Sequence, residues 1–167
     1  TQILPFSTGV VGQLLDVKSL SAAFSKCFTN LNKNSWEDFA KAIMTTDTKS
    51  KIVKLSLQVG SKKYHIVGIA KGVGMIEPNM ATTLSYIFTD LKIPELTLRK
   101  LHKKICDKTF NAISIDGDQS PSDSSILVAT GSSEIDIKKH YKKIEKDIFT
   151  VFSKLSEKLV LDGEGST

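Results

Sequence analysis

Apolar residues recur every three or four positions in several stretches of this chain, a spacing that places them on one face of a helix. We predict helices after Asp16, over residues 94–110, and from Ile137 to Gly163, where the apolar stripe is longest. A fourth, short helix is predicted after Ser35, because Asp38 follows three positions later, as in an acidic capping box. The first helix is expected to pack its apolar face on a sheet or on another helix.

Other apolar positions follow the two-residue period of a strand. Residues 53–59 alternate apolar and polar side chains, residues 60–62 form a turn, and residues 64–69 return as the second strand of a hairpin. The apolar stretch 84–88 predicts either a strand or a buried helix, between which periodicity does not decide. Further short strands are predicted at residues 3–5, 112–116 and 125–129. Helices and strands therefore alternate, which predicts an α/β or α+β fold, a layered sandwich with a mixed sheet.

Length and composition narrow the class of protein. The 167 residues fit one domain or a large piece of one, and 40% apolar with 25% charged residues is typical of a globular chain. No apolar run approaches the roughly 18 residues that span a bilayer, and no signal peptide is recognisable, so we expect a soluble protein without a membrane partner. Cys27 and Cys106 are too isolated for a disulfide framework or a metal site and favour a reducing compartment.

The two ends of the sequence favour an interior segment of a larger precursor. The chain begins with Thr1 rather than Met and closes on the turn-rich residues 162–167. We therefore expect residues 1–167 to form a single domain segment of a longer chain.

A net charge of +5 comes mostly from two lysine-rich stretches on predicted helices, residues 99–104 and 138–146. Such stretches usually form solvated helix faces. A basic module that binds nucleic acid is the alternative, but Arg99 is the only arginine, and a nucleic-acid surface normally interleaves arginine or aromatic residues. We therefore predict no nucleic-acid partner.

The common catalytic constellations are nearly absent. His65, His102 and His140 lie far apart in the sequence, so neither a metal site nor a Ser-His-Asp triad is predicted. Asp116 and Asp118 flank a glycine, which usually indicates a turn and only occasionally a metal site or an acid–base pair. The two glycines of residues 72–74 do not make a nucleotide-binding motif.

Small polar residues embedded in glycine-rich turns are the more specific signal. They occur, in this order, in Ser7–Gly9, Met44–Thr48, Lys71–Met75, Pro78–Thr82 and Asp162–Gly165. Together these runs resemble the ornithine acetyltransferase family of arginine biosynthesis, also called bifunctional glutamate N-acetyltransferase and amino-acid acetyltransferase. The resemblance extends over essentially the whole chain and implies the family's αββα sandwich.

The resemblance implies an enzyme that activates itself by cleavage. In the family the bond that matches Ala81–Thr82 is cut, so residues 1–81 would end the α chain and residues 82–167 would begin the β chain. The new N-terminal Thr82 would be the nucleophile. Its α-amine, with a pKa of about 7.7 to 8, can accept the hydroxyl proton near neutral pH, so no histidine is required.

The other site residues are also carried over from the family, position by position. Thr8 and Gly9 would form the oxyanion hole. Thr45, Lys71 and Glu164, together with Thr82, match positions that contact the substrate. Lys71 would pair with the substrate carboxylate and Glu164 with the amines of ornithine.

The implied reaction is ping-pong transfer of acetyl from N2-acetyl-L-ornithine to L-glutamate, without metal or nucleotide. Acetyl-CoA is a further acetyl donor in some members. The implied partners are the α and β chains of one precursor in a heterotetramer or larger assembly. The implied compartment is the cytoplasm, or the mitochondrial matrix in a fungus. An amidase or aminopeptidase with an N-terminal nucleophile, which transfers its acyl group to water, is the alternative enzyme.

Two departures from the family pattern accompany the resemblance. Thr83 stands where many relatives have Met, and Gln119–Ser125 differs from their usual run after Asp116–Asp118. Neither departure alters the residues of the implied cleavage site.

Overall fold

A computed structural model describes residues 4–10, 12–31, 35–77 and 83–165 of the protein. The described helices are α1 (Val17–Thr29), α2 (Trp36–Ala42), α3 (Glu95–Cys106) and α4 (Ile137–Leu161), with a 3-10 turn at Phe110–Ala112. The strands are β1 (Lys51–Val59), β2 (Lys62–Lys71), β3 (Leu84–Thr89) and β4 (Ser124–Ala129). None of the described helices is long and apolar enough to cross a lipid bilayer.

The strands form one mixed sheet in the order β1-β2-β3-β4. The first three strands are antiparallel, and β4 runs parallel to β3. A tight turn joins β1 to β2, and Gly60 supplies the positive φ of 58° there at no steric cost. The parallel pair needs a longer crossover, which contains α3. The predicted layered α+β fold with a mixed sheet is thus confirmed, and residues 84–88 prove to be a strand.

The core lies between one face of the sheet and helices α3 and α4. The apolar stripe of α4, predicted from its helical period, is buried at Ile137 and from Ile144 to Leu159, whereas Tyr141 is 37% exposed. Gly68 in β2 allows the close approach of α4, because a Cβ at this position would lie only 2.5 Å from Cγ1 of Val151. The opposite face is covered in part by α2, whose Trp36 and Phe39 contact aromatic rings of β3.

Helix α1 forms as predicted, but the prediction that its apolar face packs on a sheet or helix is wrong within the described residues. Asp16 caps the helix by accepting the amides of Lys18 and Ser19. No residue of α1 is buried, and Phe24 and Phe28 are 72% and 76% exposed. The helix is therefore held by its own capping and hydrogen bonds rather than by packing.

Three other local predictions differ from the structure. Residues 4 and 5 form no strand, and Ile3 lies outside the described residues. Residues 112–116 form no strand either, because the amide of Ile115 bonds to the carbonyl of Ile76 in a neighbouring loop. Ser35 precedes α2 but caps nothing with its side chain, since its ψ of 17° departs from the extended backbone of a capping residue.

Candidate functional site

A cavity of about 470 Å³ lies at the end of β2, where several segments distant in sequence meet. Thr8 and Gly9 come from the irregular N-terminal segment, Thr45 from the loop after α2, Lys71 from the end of β2, and Glu164 from the turn after α4. The fold thus brings these sequence-predicted residues to one place. Ala81 and Thr82, the predicted cleavage site and nucleophile, lie outside the described residues.

Lys71 is the central cation of this cavity. Its side chain is buried, and its Nζ donates to the hydroxyl oxygens of Thr8 and Thr45 at 3.3 and 3.4 Å. Within the described ranges no carboxylate forms an ion pair with it. Burial lowers the pKa of Lys71, although the charges of Asp47 and Asp123 oppose that shift. An amine held by hydroxyl groups alone is suited to bind an anionic group of a ligand.

A buried ion-pair network supports the Thr45 loop beside Lys71. The Nζ of Lys51 lies 2.6 Å from Oδ1 of Asp47 and 2.6 Å from Oδ2 of Asp162. Asp47 also accepts the amide of Gly72 at 2.8 Å and the amide of Thr45 at 3.2 Å. One carboxylate therefore fixes the Thr45 loop against the end of β2.

Asp162 joins the end of α4 to the same loop. It accepts the amides of Thr48 and Lys49 at 3.1 and 3.3 Å, besides the amine of Lys51. Burial alone would raise the pKa of Asp162, but these hydrogen bonds outweigh burial and lower it to about 2. The pKa of Asp47 is lowered for the same reason. Both acids are therefore ionised at neutral pH, and the turn that carries Glu164 is anchored near Lys71.

In the same cavity, the carboxylates of Asp116 and Glu164 approach the loop of residues 72–77. Asp116 accepts the amides of Met75 and Ile76 and so anchors this loop. It also accepts the amide of Asp118 at 3.2 Å, which forms the turn that its motif predicts. A Cβ on Gly74 would lie 3.2 Å from both Oδ2 of Asp116 and Oε2 of Glu164. Glycine at this position therefore lets both carboxylates approach the loop. The cavity therefore presents both a buried amine and carboxylates to a ligand.

His65 and His102 each contact a polar side chain. His65 pairs with Asp90 at the surface, and His102 lies 2.8 Å from the hydroxyl of Ser125. Over the described residues, no group of three or more His, Cys, Asp or Glu side chains is arranged to hold a metal ion.

Sequence reasoning did not single out Lys51 or Asp123. Lys51 lies four residues after Asp47, a spacing that suggests an ion pair only in a helix, whereas here it joins a loop to a strand. The Asp123 carboxylate accepts the amide of Thr83 at 2.6 Å. No local sequence pattern around Asp123 indicates this contact, because the pairing of β3 with β4 brings the two residues together only in the folded chain.

Comparisons with known proteins find similar sequences over the whole chain. The family model described as the ArgJ family matches residues 1–167. The chain is 39% identical to the arginine biosynthesis bifunctional protein ArgJ of Psychrobacter arcticus, over 99% of this chain and 42% of that protein. It is 42% identical to the protein of that name from Colwellia psychrerythraea, over 99% of this chain and 40% of the relative. The chain thus spans about two fifths of the length of the curated relatives it matches.

Proposed function

Because this chain belongs to the ArgJ family, we propose that its protein moves the acetyl group of N2-acetyl-L-ornithine to L-glutamate in arginine biosynthesis. The observation that carries the proposal is the meeting of Thr8, Thr45 and Glu164 around the buried amine of Lys71. These residues come from motifs far apart in the sequence. An acetyltransferase site explains why they lie together.

In the proposed reaction, the precursor is first cut between Ala81 and Thr82. The hydroxyl oxygen of Thr82 then attacks the acetyl carbonyl carbon of acetylornithine while the α-amine of Thr82 takes the hydroxyl proton. The tetrahedral intermediate collapses when its C–N bond breaks and the proton passes to the departing ornithine nitrogen. Acetyl is left as an ester on Thr82, and the amine of glutamate attacks that ester by the reverse sequence of steps.

Thr8 and Gly9 are proposed to stabilise the oxyanion of each tetrahedral intermediate. The hydroxyl oxygen of Thr8 accepts a hydrogen bond from Lys71, so its own proton is available to donate to an oxyanion. The positive charge of Lys71 behind this hydroxyl would strengthen that donor. Loss of one oxyanion donor typically raises the barrier by about 2.7 to 4 kcal/mol.

The same cavity accounts for substrate recognition in this proposal. Lys71 and Thr45 would bind the carboxylate that acetylornithine and glutamate share, since the buried amine has only hydroxyl partners in the described structure. Glu164, held near Gly74, would bind the amines of ornithine. The reaction as written needs no metal or nucleotide, and acetyl-CoA would be an additional acetyl donor.

The test is acetyl transfer by the full-length protein, with acetyl-labelled N2-acetyl-L-ornithine in the presence and absence of L-glutamate. The proposal predicts labelled N-acetylglutamate that depends on glutamate, and none from the Thr82→Ala variant. Release of labelled acetate at a rate that glutamate does not change would contradict the proposal and favour an amidase with an N-terminal nucleophile.

A further inference from the structure

Asp118 lines the cavity at the end of β2, although no step of the proposed reaction uses it. The turn of residues 116–118 fixes its position: Oδ1 of Asp116 accepts the amide of Asp118 at 3.2 Å, and Gly117 between them has a φ of 77°. Glycine adopts this backbone conformation without steric cost. The turn therefore holds the backbone of Asp118 at the cavity wall.

The other acid of this turn, Asp116, is bound to the backbone. Its Oδ2 accepts the amide of Met75, and its Oδ1 accepts the amides of Ile76 at 3.0 Å and of Asp118. Burial alone would raise the pKa of Asp116, but these hydrogen bonds outweigh burial and lower it. The carboxylate of Asp116 therefore holds the loop in place.

The carboxylate of Asp118, in contrast, is available to a ligand. It has no hydrogen bond or ion pair to any residue that the structure describes, and the residue is exposed at the cavity. The described His, Cys, Asp and Glu side chains form no group of three or more that could hold a metal ion. The partner that best matches this carboxylate is therefore a cationic group carried by an organic ligand.

Lys71, in the same cavity, indicates what kind of ligand would carry that cation. Lys71 is 1% exposed, and its described partners are hydroxyl groups rather than a carboxylate. A buried ammonium group without a counterion favours an anion of the ligand. The volume of about 470 Å³ is typical of a site for a small molecule. A ligand held by both Lys71 and Asp118 has an anionic and a cationic group, as a basic amino acid has.

The charged groups meet the loop that leaves β2 in a definite order. The amide of Glu164 bonds to the carbonyl of Val73 at 2.7 Å, two residues after Lys71. The turn of residues 116–118 is attached further along, at the amides of residues 75–76. The order is therefore amine, first carboxylate, second carboxylate. The groups of ornithine follow one another in the matching order: carboxylate, α-amine, side-chain amine.

We propose that Asp118 is a specificity-determining residue: its carboxylate binds the side-chain ammonium group of N2-acetyl-L-ornithine while Lys71 binds the carboxylate of the same molecule. This inference rests on the proposed function, which supplies the substrate. The side chain of that donor carries its one free amine, because the α-nitrogen is acetylated. Asp118 thus selects donors with a basic side chain, and Glu164 meets the α-nitrogen that becomes an amine when acetyl leaves.

The test uses two acetyl donors that differ in the side-chain amine: N2-acetyl-L-ornithine and N-acetyl-L-norvaline, whose three-carbon side chain has no amine. In the full-length protein, the ratio of their kcat/KM values measures recognition of the ammonium group. Asp118→Asn removes the charge but keeps the backbone amide that forms the turn. It should lower the ratio about three- to fivefold, a modest loss because solvent screens an ion pair at an exposed carboxylate. The kcat/KM for acetylnorvaline and the KM for L-glutamate should stay within twofold.

Two further variants separate charge from general effects of substitution. Asp118→Glu keeps the carboxylate and should keep the donor ratio within twofold of the wild type. Asp38→Asn removes an exposed carboxylate on α2, outside the residues that line the cavity, and should leave the ratio unchanged.

The outcomes separate this inference from the proposed function. If the wild type transfers acetyl to glutamate and Asp118→Asn keeps the wild-type ratio, or loses activity equally with both donors, the inference is overturned and the proposed function stands. If the wild type releases acetate without transfer, the proposed function fails, and the ratio measured from donor consumption still decides the inference. If the wild type consumes neither donor, both are overturned.

Discussion

At the scale of single residues, the site depends on two buried lysines with different partners. Lys51 is neutralised by Asp47 and Asp162, whereas the described partners of Lys71 are the hydroxyls of Thr8 and Thr45. Breaking a buried ion pair is strongly destabilising, but a buried amine without a counterion costs free energy in the folded state. Lys51 therefore serves stability, and Lys71 has the features of a binding residue.

Replacement of Lys71 by Met should weaken substrate binding without unfolding the protein. Methionine keeps the length of the side chain and removes a charge that burial disfavours. We expect the KM for acetylornithine to rise about tenfold or more, corresponding to roughly 1.4 kcal/mol, with a smaller change in kcat. Lys103→Met, at an exposed lysine paired with Asp107, is the control. Steady-state kinetics measure both variants, and an unchanged KM in Lys71→Met would remove Lys71 from the binding site.

Stability should fall in acid because Asp47 and Asp162 are ionised in the fold. Their folded-state pKa values lie below those of the unfolded chain, so their contribution is present above about pH 4. It is lost as the pH falls toward the folded-state pKa of Asp162, about 2. For Asp162 the loss is about 2 kcal/mol. Urea unfolding between pH 5 and pH 2 measures it, and the slope should be shallower in Asp162→Asn; an equal slope would contradict the assignment.

At the scale of elements, the close packing of α4 on the sheet depends on Gly68, which has no side chain to separate the two. Gly68 faces Val151 and Leu155 of α4, and a Cβ there would lie 2.5 and 2.8 Å from their methyl carbons. Such distances require the side chains of Val151 and Leu155, or the helix that carries them, to shift. The end of α4 also carries Asp162, so its position affects both the core and the site.

Gly68→Ala should therefore destabilise the fold by overpacking, at a cost of about 1 to 3 kcal/mol. Ser56→Ala, at an exposed position of the neighbouring strand β1, is the control and should change the free energy of unfolding by no more than about 0.5 kcal/mol. Urea unfolding at neutral pH measures both variants. Equal stabilities for Gly68→Ala and the wild type would mean that α4 does not approach β2 as closely as described.

The sequence predicted elements best where one period extends over many residues. The stripe of α4 and the alternation of β1 correctly marked a helix and a strand because packing on the core imposes those periods. The prediction of a short strand at residues 112–116 was wrong, because the amide of Ile115 bonds to the carbonyl of Ile76 in a loop rather than to a neighbouring strand. The exposed face of α1 could not be foreseen, since an amphipathic period states only that a face is apolar and not what covers it.

The candidate site was predictable from the sequence only in part, because local patterns do not show which distant segments come together. Thr8, Thr45, Lys71 and Glu164 were found through the family resemblance, and the cavity at the end of β2 brings them together. The roles of Lys51 and Asp123 depend on contacts between segments 40 or more residues apart, which no local pattern encodes. Their partners become apparent only when the sheet is assembled.

At the scale of the whole molecule, the proposed cut falls between two neighbouring strands of one sheet. Strands β2 and β3 pair from Ile66↔Thr89 to Lys71↔Leu84, and they lie on opposite sides of residues 81 and 82 in the sequence. Helix α4 from the second piece packs on β1 and β2 from the first. The two pieces would therefore share one sheet and one core.

A cleaved protein should consequently remain associated under native conditions. We expect the two pieces to elute together in size-exclusion chromatography and to separate only in denaturant, because their separation would break the β2–β3 ladder and expose the core. Elution of two separate native pieces would contradict the arrangement of the sheet across the cut.

The most direct test of the account is the intact mass of the full-length protein under denaturing conditions, with Thr82→Ala beside the wild type. We predict two wild-type pieces, the second beginning at Thr82, and a single uncut chain for the variant. A wild type that remains uncut, or one cut at another bond, would contradict the assignment of Thr82 as the nucleophile and, with it, the proposed acetyl transfer.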